Sequence, residues 1–227
     1  MSAQPTLEGL AAEARRSYRT VEDMVHHLVR EGIVTGIYRP GQRLPQEAIA
    51  KLMGVSRIPV RAALGRLDAE GWVEMVPHRG AMVRSLSPNE IVEIYDLRIQ
   101  LEIYALRAVA DRINLEGLDE LDRLAERIDK ADGAEEEVDA RHAFYERLYE
   151  ISDRPLTVKY IARLRSDVRR YWRMERIADG REGKSHTVIV KALRHADLEE
   201  AAAWLRDHLT RVAEELRTRV ASGAVAD

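Results

Sequence analysis

The chain of 227 residues contains no cysteine. This absence excludes disulfide bonds, thiolate catalysis and cysteine-ligated zinc fingers, and it is compatible with a reducing cell interior. The sequence also lacks any apolar run near the roughly 20 residues that cross a bilayer, and its first residues include acids where a secretory signal has a positive end and an apolar core. We therefore expect a cytoplasmic protein with no membrane partner.

Net positive charge is lacking as well, since the whole chain carries −3. The two halves differ, however. Residues 1–84 hold 12 lysines and arginines against 9 acids, a net charge of +3, while the remainder holds 24 against 30, a net charge of −6. The positive charge thus lies in the N-terminal part, where a polyanionic partner is expected. The length exceeds that of one typical domain, and 45% apolar residues suffice for two cores.

The segment of residues 44–84 contains, in order, the elements of a winged helix-turn-helix. A short helix is predicted over residues 46–53, and it ends at Gly54, which tolerates the left-handed backbone of a sharp turn. Ser56 is expected to cap a second helix. The buried stripe of that second helix is predicted to consist of Val60, Ala63, Leu64 and Leu67. The pattern indicates two packed helices joined by a tight turn.

After Gly71 the hydrophobic period changes from helical to extended. Residues 72–76 lead into Pro77-His78-Arg79-Gly80, and residues 81–83 lead out of it. This pattern predicts a β-hairpin with a basic tip.

Arg57 and Arg61 lie four residues apart in the second helix and therefore share one face. An arginine can fork onto the two acceptors of a guanine in the major groove, and a capping serine with the first backbone N–H groups suits a phosphate. The hairpin tip would lie over the adjacent backbone or minor groove. The candidate DNA contacts are Ser56, Arg57, Arg61, His78, Arg79 and Gly80. A solvated basic helix beside an ordinary hairpin is the alternative, and it accounts less well for the complete ordered series.

Over about residues 18–84 the sequence resembles the GntR family of bacterial transcription regulators, through GQRLPQEAIAKLMGVSRIPVRAALGRLDAEGWV and the HRG of the hairpin. The resemblance implies a domain that binds double-stranded DNA. Glu47 stands where the family frequently has a basic or variable residue, and Ile58 stands where it usually has threonine. Because Glu47 would repel a phosphate and Ile58 could touch only a thymine methyl, neither is assigned to DNA. Residues 1–17 are expected to form a mobile tail.

A second domain is predicted to start at Ser87-Pro88-Asn89-Glu90, which reads as a capping box. A helix is expected to run from there to about Ile113. Further helices are predicted over residues 116–131, 135–151, 155–178, 184–195 and 198–221. No convincing strand pattern interrupts them. The chain is thus expected to be mostly α: an N-terminal winged helix-turn-helix with a small β-hairpin wing, then an all-α bundle over residues 88–221.

The bundle is similar, over about residues 88–218, to the FCD domain, the ligand-sensing domain of the FadR-like subgroup of the same family. The similarity rests on YDLRIQLE at 95–102, on FYERLYEISDRP at 144–155 and on the run from His186 to His208. It implies a homodimer whose affinity for a near-palindromic operator responds to a small molecule, often an organic acid. A transcription regulator, in the first instance a repressor, is therefore expected rather than an enzyme.

In many members of the subgroup a divalent metal is held by an Asp and a His four residues apart on one helix and by two later His. His186 and His208 match the later pair, whereas Arg141 occupies the place of the Asp and Tyr145 the place of the first His. A guanidinium repels a cation, and neutral tyrosine is a poor ligand. No cofactor is therefore favoured. If zinc, nickel or manganese binds, His186 and His208 are the expected ligands.

Direct capture of an anion is the other use of the same pocket. Arg98 matches the subgroup's arginine in the first bundle helix, and Arg141 would point into the cavity. The expected effector-binding residues are Arg98, Arg141, Tyr145, His186 and His208. A plainer interpretation is also open: Arg98 with Glu102, and Arg141 with Glu137, would be pairs along a helix, and the histidines would be hydrogen-bonded core residues.

Three further alternatives remain. A shifted metal site using Asp139 and His142 would need a register change against the match of FYERLYEISDRP. A metallohydrolase fused to a DNA-binding arm would use His186, Asp197 and His208, but no nucleophile or general base stands at motif spacing. An architectural DNA binder without a ligand predicts that no metabolite changes its DNA affinity.

Overall fold

The computed structural model describes residues 6–131, 134–174 and 185–222. They fall into two compact units, which divide between Leu86 and Ser87. The predicted fold class is confirmed, because helices dominate and one two-stranded antiparallel hairpin follows the helices of the N-terminal unit.

The N-terminal unit packs its helices around one apolar core. Its elements are α1 Leu7–Ser17, α2 Val21–Val34, α3 Gln46–Met53, α4 Arg57–Ala69, β1 Val73–Val76 and β2 Gly80–Val83. Helix α2 packs against α4 at the centre of the unit, where Leu28, Ile33 and Leu64 are fully buried. This core holds α4 by one face only and leaves the other face to solvent.

The expectation of a mobile tail over residues 1–17 is wrong for residues 7–17, which form α1. The side chain of Thr6 caps this helix by accepting a hydrogen bond from the N–H of Gly9 at 3.1 Å. Leu10, Ala11 and Ala14 are the residues that α1 buries. The signal in the sequence is weak because alanine makes up most of this apolar stripe and contributes little area. Residues 1–5 lie outside the described residues.

The hairpin is anchored along both edges of β2. On one side β1 and β2 pair in the register Val73 with Val83 and Val76 with Gly80. On the other side Gly41 donates its N–H to Val83, and Leu44 donates its N–H to Ala81, each at 2.8 Å. Trp72, expected in the first strand, instead precedes it and is buried in the core. The hairpin therefore projects from a fixed base.

The C-terminal unit is the predicted helical bundle. Its helices are α5 Pro88–Ala110, α6 Leu115–Lys130, α7 Ala134–Glu150, α8 Pro155–Met174, α9 Thr187–Arg194 and α10 Leu198–Ala221. Helix α9 begins three residues later than expected, and the predicted helix limits at residues 178 and 184 lie outside the described residues. Among the helices that the structure describes, none is long and apolar enough to cross a membrane.

Helix α5 is central to this bundle, since it packs against α7, α8 and α10. The predicted capping box is confirmed at its start. The hydroxyl of Ser87 accepts a hydrogen bond from the N–H of Glu90 at 3.2 Å, and the carboxylate of Glu90 accepts one from the N–H of Ser87 at 2.9 Å. The cap sets where α5 begins and so fixes the positions of Arg98 and Glu102 in the interior.

Candidate functional site

Helix α4 presents arginines on the side opposite to its buried stripe. Val60, Ala63, Leu64 and Leu67 are all fully buried, as predicted. Arg57 and Arg61 are exposed. Arg66, farther along the helix, is engaged with Asp23 at 3.0 Å and with Glu70 at 3.1 Å. Arg57 and Arg61 thus stand in the first two turns of α4, the part of a recognition helix that reaches base edges.

The turn before α4 has the predicted geometry, but its cap differs from the expected one. Gly54 takes the left-handed conformation with φ of 65°. Ser56 occupies the cap position, yet its side chain makes no capping hydrogen bond. The third residue of the helix is Pro59, which has no N–H to donate, so the usual partner of a capping hydroxyl is missing. The Ser56 hydroxyl is therefore not used in closing the helix end.

The tip of the hairpin consists of Pro77, His78 and Arg79. The N–H of Arg79 donates to the carbonyl of Val76 at 3.1 Å, and His78 has a φ of 64°. Gly80 has a φ of 81°, and a Cβ built on it would meet nothing within 4 Å. Glycine is thus required here by the backbone conformation. His78 and Arg79 are exposed, so the tip can reach a backbone or groove.

Arg43 is a basic residue of this unit that the sequence interpretation does not single out. It is exposed, and its backbone bridges to Met82 of β2. The sequence contains no signal that residues 41–44 pair with β2, because this register arises only from tertiary packing. Ile58, in contrast, projects into solvent beside Arg57, so its apolar side chain has only methyl contacts to offer.

In the C-terminal unit a fully buried carboxylate, that of Glu102, organises a polar cluster. Arg98 donates to it at 2.8 Å, Tyr149 at 2.6 Å and Arg165 at 3.3 Å. Burial acts to raise the pKa of Glu102, but the charges of Arg98 and Arg165 outweigh burial and hold this pKa below its usual value. Glu102 is thus ionised and shared by two guanidinium groups. The pair Arg98–Glu102 expected from the helical spacing is present.

The remaining expected side chains lie next to this carboxylate. The guanidinium carbon of Arg165 is 3.8 Å from the ring centre of Tyr145, whose hydroxyl lies 3.2 Å from Nε2 of His186. The rings of His186 and His208 are 5.2 Å apart, and Trp204 stacks on His208 at 5.0 Å. Hydrogen bonds and ring contacts therefore join Arg98, Tyr145, His186 and His208, which come from four different helical segments.

Arg141 also faces inward, but it is engaged on its own helix. Its guanidinium donates to Glu137 at 3.0 Å, the other pair expected from helical spacing. The charge of Arg141 nevertheless acts on His208. Burial is the main cause that holds the pKa of His208 well below its usual value, and the charges of Arg141 and Arg98 lower this pKa further. Burial raises the pKa of Tyr145 to about 12. Both side chains are therefore neutral at pH 7.

The cluster is rich in arginine. Three arginines, Arg98, Arg141 and Arg165, face two carboxylates, Glu102 and Glu137. Each of these guanidinium charges lies in a largely buried region. A low dielectric strengthens the interaction of such a charge with an anion.

The positions proposed for a shifted metal site are separate from the buried histidines. Asp139 is exposed, and the exposed His142 lies 3.5 Å from Glu146. His186 and His208 are buried. Within residues 6–131, 134–174 and 185–222 no group of three or more His, Cys, Asp or Glu side chains is arranged to hold a metal ion.

Arg165 and Trp204 are members of the cluster that sequence reasoning does not assign. Arg165 belongs to an arginine-rich stretch of α8, and composition alone cannot show which of these arginines points inward. Trp204 precedes His208 by one helical turn, which is the only signal in the sequence. Its indole N–H is buried and has no acceptor in the described part of the chain.

Comparison with known proteins decides the family. Residues 21–83 match the bacterial regulatory proteins of the gntR family, and residues 93–211 match the FCD domain. This chain belongs to the GntR family. The first match of this GntR regulator contains α4 and the hairpin wing, and the second contains the polar cluster around Glu102. The chain thus combines a GntR helix-turn-helix region with an FCD domain.

Individual relatives agree with this assignment. An HTH-type transcriptional regulator from the TAR-I ttuE-ttuC' intergenic region of Agrobacterium vitis is 37% identical over 101 residues, 44% of this chain and 58% of the relative. The Nta operon transcriptional regulator of Aminobacter aminovorans is 27% identical over 196 residues, 84% of this chain and 91% of the relative. The chain spans about half the length of the relatives matched at 33% and 37% identity.

Solved structures support the fold. The structure of Escherichia coli McbR/YncC superposes with a TM-score of 0.71 at 21% identity, covering 89% of this chain and 100% of that one. At this identity the likeness concerns the fold alone.

Proposed function

We propose that this GntR regulator binds a near-palindromic operator as a homodimer, and that a small acidic molecule bound in the FCD unit sets its affinity for DNA. The observation that carries the proposal is the arginine-rich cluster that brings Arg165, Tyr145, His186 and His208 together. The protein acts in the cytoplasm as a regulator and not as an enzyme. The operator contacts come from Ser56, Arg57, Arg61, His78, Arg79 and Gly80.

The chemistry of the cluster favours an anion. Arg98 and Arg165 share the carboxylate of Glu102, and Arg141 brings a third guanidinium group close to the cluster. Arginines bind carboxylates and phosphates through forked, charge-assisted bonds, and neutral His208 can donate one hydrogen bond more. The N–H of Trp204 is a further donor that an oxygen of the ligand would satisfy, since a buried donor without a partner is unfavourable.

The same donors do not fit a divalent metal. Only two imidazoles, His186 and His208, are available in the cluster, and the Tyr145 hydroxyl already lies at hydrogen-bond distance from Nε2 of His186. Arg141 stands where a carboxylate ligand would be needed, which changes the local charge by about two units toward positive. We therefore propose that the acid binds without a metal.

The acid can control DNA binding only if it binds more tightly to one arrangement of the dimer's two DNA-binding units than to another. The free energy that couples acid binding to DNA binding equals this difference in the free energy of acid binding. Repression is the expected output. A dimer bound across a promoter excludes the polymerase, and an acid that disfavours this arrangement releases the operator.

The test combines ligand binding with operator binding. A panel of mono- and dicarboxylates and phosphate esters is screened by thermal shift, and each hit is titrated into the protein–operator complex followed by fluorescence anisotropy. We expect one class of acid to raise the melting temperature and to change the operator Kd by about tenfold. Arg165→Gln should abolish both effects while leaving acid-free operator binding unchanged.

Arg163→Gln is the matched control, because Arg163 lies two residues earlier on α8 and pairs with Asp167 at 3.3 Å. This variant should respond as the wild type does. A panel without any hit, or a response that survives Arg165→Gln, would contradict the proposed site. A response that requires added zinc, nickel or manganese and disappears with a chelator would contradict its metal-free chemistry.

A further inference from the structure

The outward face of helix α4 carries an apolar side chain near its centre. Ile58 is 82% exposed, the highest value among the large apolar side chains that the structure describes. Ile58, Arg61, Ala62 and Gly65 follow the spacing i, i+3, i+4 and i+7, so they share one helix face, and all four are exposed. Each stands two residues before a member of the buried stripe, which turns it about 200° away from that stripe. Ile58 therefore points directly away from the core.

The fold itself gives no reason for these residue types on this face. Isoleucine has a lower helix propensity than alanine, and a glycine inside a helix weakens it. A Cβ built on Gly65 would meet nothing within 4 Å, so the glycine is not kept for packing among the described residues. Single exposed apolar residues are common on protein surfaces. Ile58, however, lies on the face of α4 that the proposed operator would cover.

The apolar chemistry of Ile58 selects one partner on DNA. In the major groove the base pairs present hydrogen-bond donors and acceptors and a single apolar group, the C5-methyl group of thymine. The side chain of isoleucine can neither donate nor accept a hydrogen bond. We propose that Ile58 reads a thymine methyl group in each half-site of the operator, beside the guanine that Arg61 contacts. The inference rests on the proposed operator binding and adds a second kind of base to what α4 recognises.

The spacing along α4 limits where this thymine lies. Ile58 and Arg61 are three residues apart, which is about 4.5 Å along the helix axis. Successive base pairs are about 3.4 Å apart, so the thymine lies within about two base pairs of the guanine. Ala62 and Gly65 carry no long side chain on the same face, and α4 can therefore approach the base edges closely.

Replacing thymine by deoxyuridine tests this contact, because uracil pairs with adenine as thymine does and lacks only the methyl group. The operator that the wild type selects from a random library is synthesised with each symmetric pair of thymines replaced in turn. We expect one pair, within about two base pairs of the selected guanines, to matter. Its replacement should weaken wild-type binding about fourfold per half-site and about 15-fold for both, the effect of burying one methyl-sized group in each.

Variants of Ile58 show whether this side chain reads the methyl group. Ile58→Ala should bind the thymine operator about as weakly as the wild type binds the deoxyuridine operator, and should bind both operators alike, because alanine is too short to reach the methyl group. Ile58→Val keeps a branched side chain and should retain part of the preference for thymine. Unchanged circular dichroism shows that both variants are folded.

Val21→Ala is the matched control. Val21 is 38% exposed in the same unit, but it starts α2 and lies outside α4, so this variant should discriminate between the two operators as the wild type does. A wild type that binds every deoxyuridine operator as tightly as the thymine operator would overturn the thymine contact, and so would discrimination that survives Ile58→Ala. In both cases weaker binding by Arg61→Ala would show that operator binding stands. A wild type that selects no sequence at all would overturn operator binding and the thymine contact together.

Discussion

Pro59 shows how one residue changes the role of its neighbours. A capping serine normally accepts a hydrogen bond from the second or third N–H of its helix, and Pro59 removes the third. The Ser56 hydroxyl consequently makes no cap in the structure. It lies at the helix N-terminus, where the first N–H groups favour a phosphate. We therefore expect Ser56 to help position the helix on DNA rather than to stabilise the helix.

His208 should make the stability of the FCD unit sensitive to acid. Because its pKa is well below 6.5 in the folded protein, the unfolded chain takes up a proton that the folded chain does not as the pH falls below about 6.5. Stability is therefore lost from that pH downward, by about 1.4 kcal/mol per pH unit for one proton. We expect His208→Gln to remove this component, as measured by urea unfolding at about pH 7.5 and about pH 5.5.

His195 is exposed at the end of α9, and His195→Gln is therefore the control. This variant should keep the pH dependence of stability of the wild type. If His208→Gln lost as much stability toward acid as the wild type does, the inward position of this imidazole beside Arg98 and Arg141 would be wrong.

Whole elements can be predicted wherever their signals are local. The bounds predicted for α3 agree with the observed ones because Gly54 marks its end, and the start of α5 agrees because Ser87 and Glu90 mark it. The contacts between elements could not be predicted. Nothing in the sequence shows that Arg165 reaches Glu102 from another helix, because that contact depends on how α5 and α8 pack.

Two glycines of the helix-turn-helix should respond in opposite ways to the same substitution. Gly54 has a positive φ, whereas Gly65 lies within α4, and a methyl group added there would meet nothing within 4 Å. Gly54→Ala should lower the free energy of unfolding by about 1 kcal/mol, since a Cβ disfavours the left-handed region. Gly65→Ala should raise it by roughly 0.5–1 kcal/mol, since alanine has the higher helix propensity. Thermal and urea unfolding measure both. Equal effects of the two changes would contradict the turn geometry.

At the scale of the whole molecule, the two parts of the chain differ in net charge. Residues 1–84 carry +3 and the rest carries −6, so the positive charge lies in the part of the chain that contains the helix-turn-helix. One recognition helix and one wing cover only a few base pairs, and two copies related by a two-fold axis are needed for a longer site. The family and both domains could be predicted from the sequence. The identity of the acid could not, because the shape of a site depends on side chains that converge from several helices.

If α4 reads an operator in the major groove, selection of DNA from a random library should show it most directly. The wild type should select a near-palindrome whose half-sites lie about one helical turn apart or less.

On that operator Arg57→Ala and Arg61→Ala should each lose about 1–3 kcal/mol of binding free energy and relax base preference. Arg79→Ala should instead weaken binding to all sequences alike and reduce the slope of log affinity against log salt concentration by about one. Arg66→Gln, whose guanidinium is held by Asp23 and Glu70, should bind as the wild type does. If Arg57→Ala and Arg61→Ala both selected and bound the wild-type operator unchanged, the placement of α4 in the groove would be contradicted.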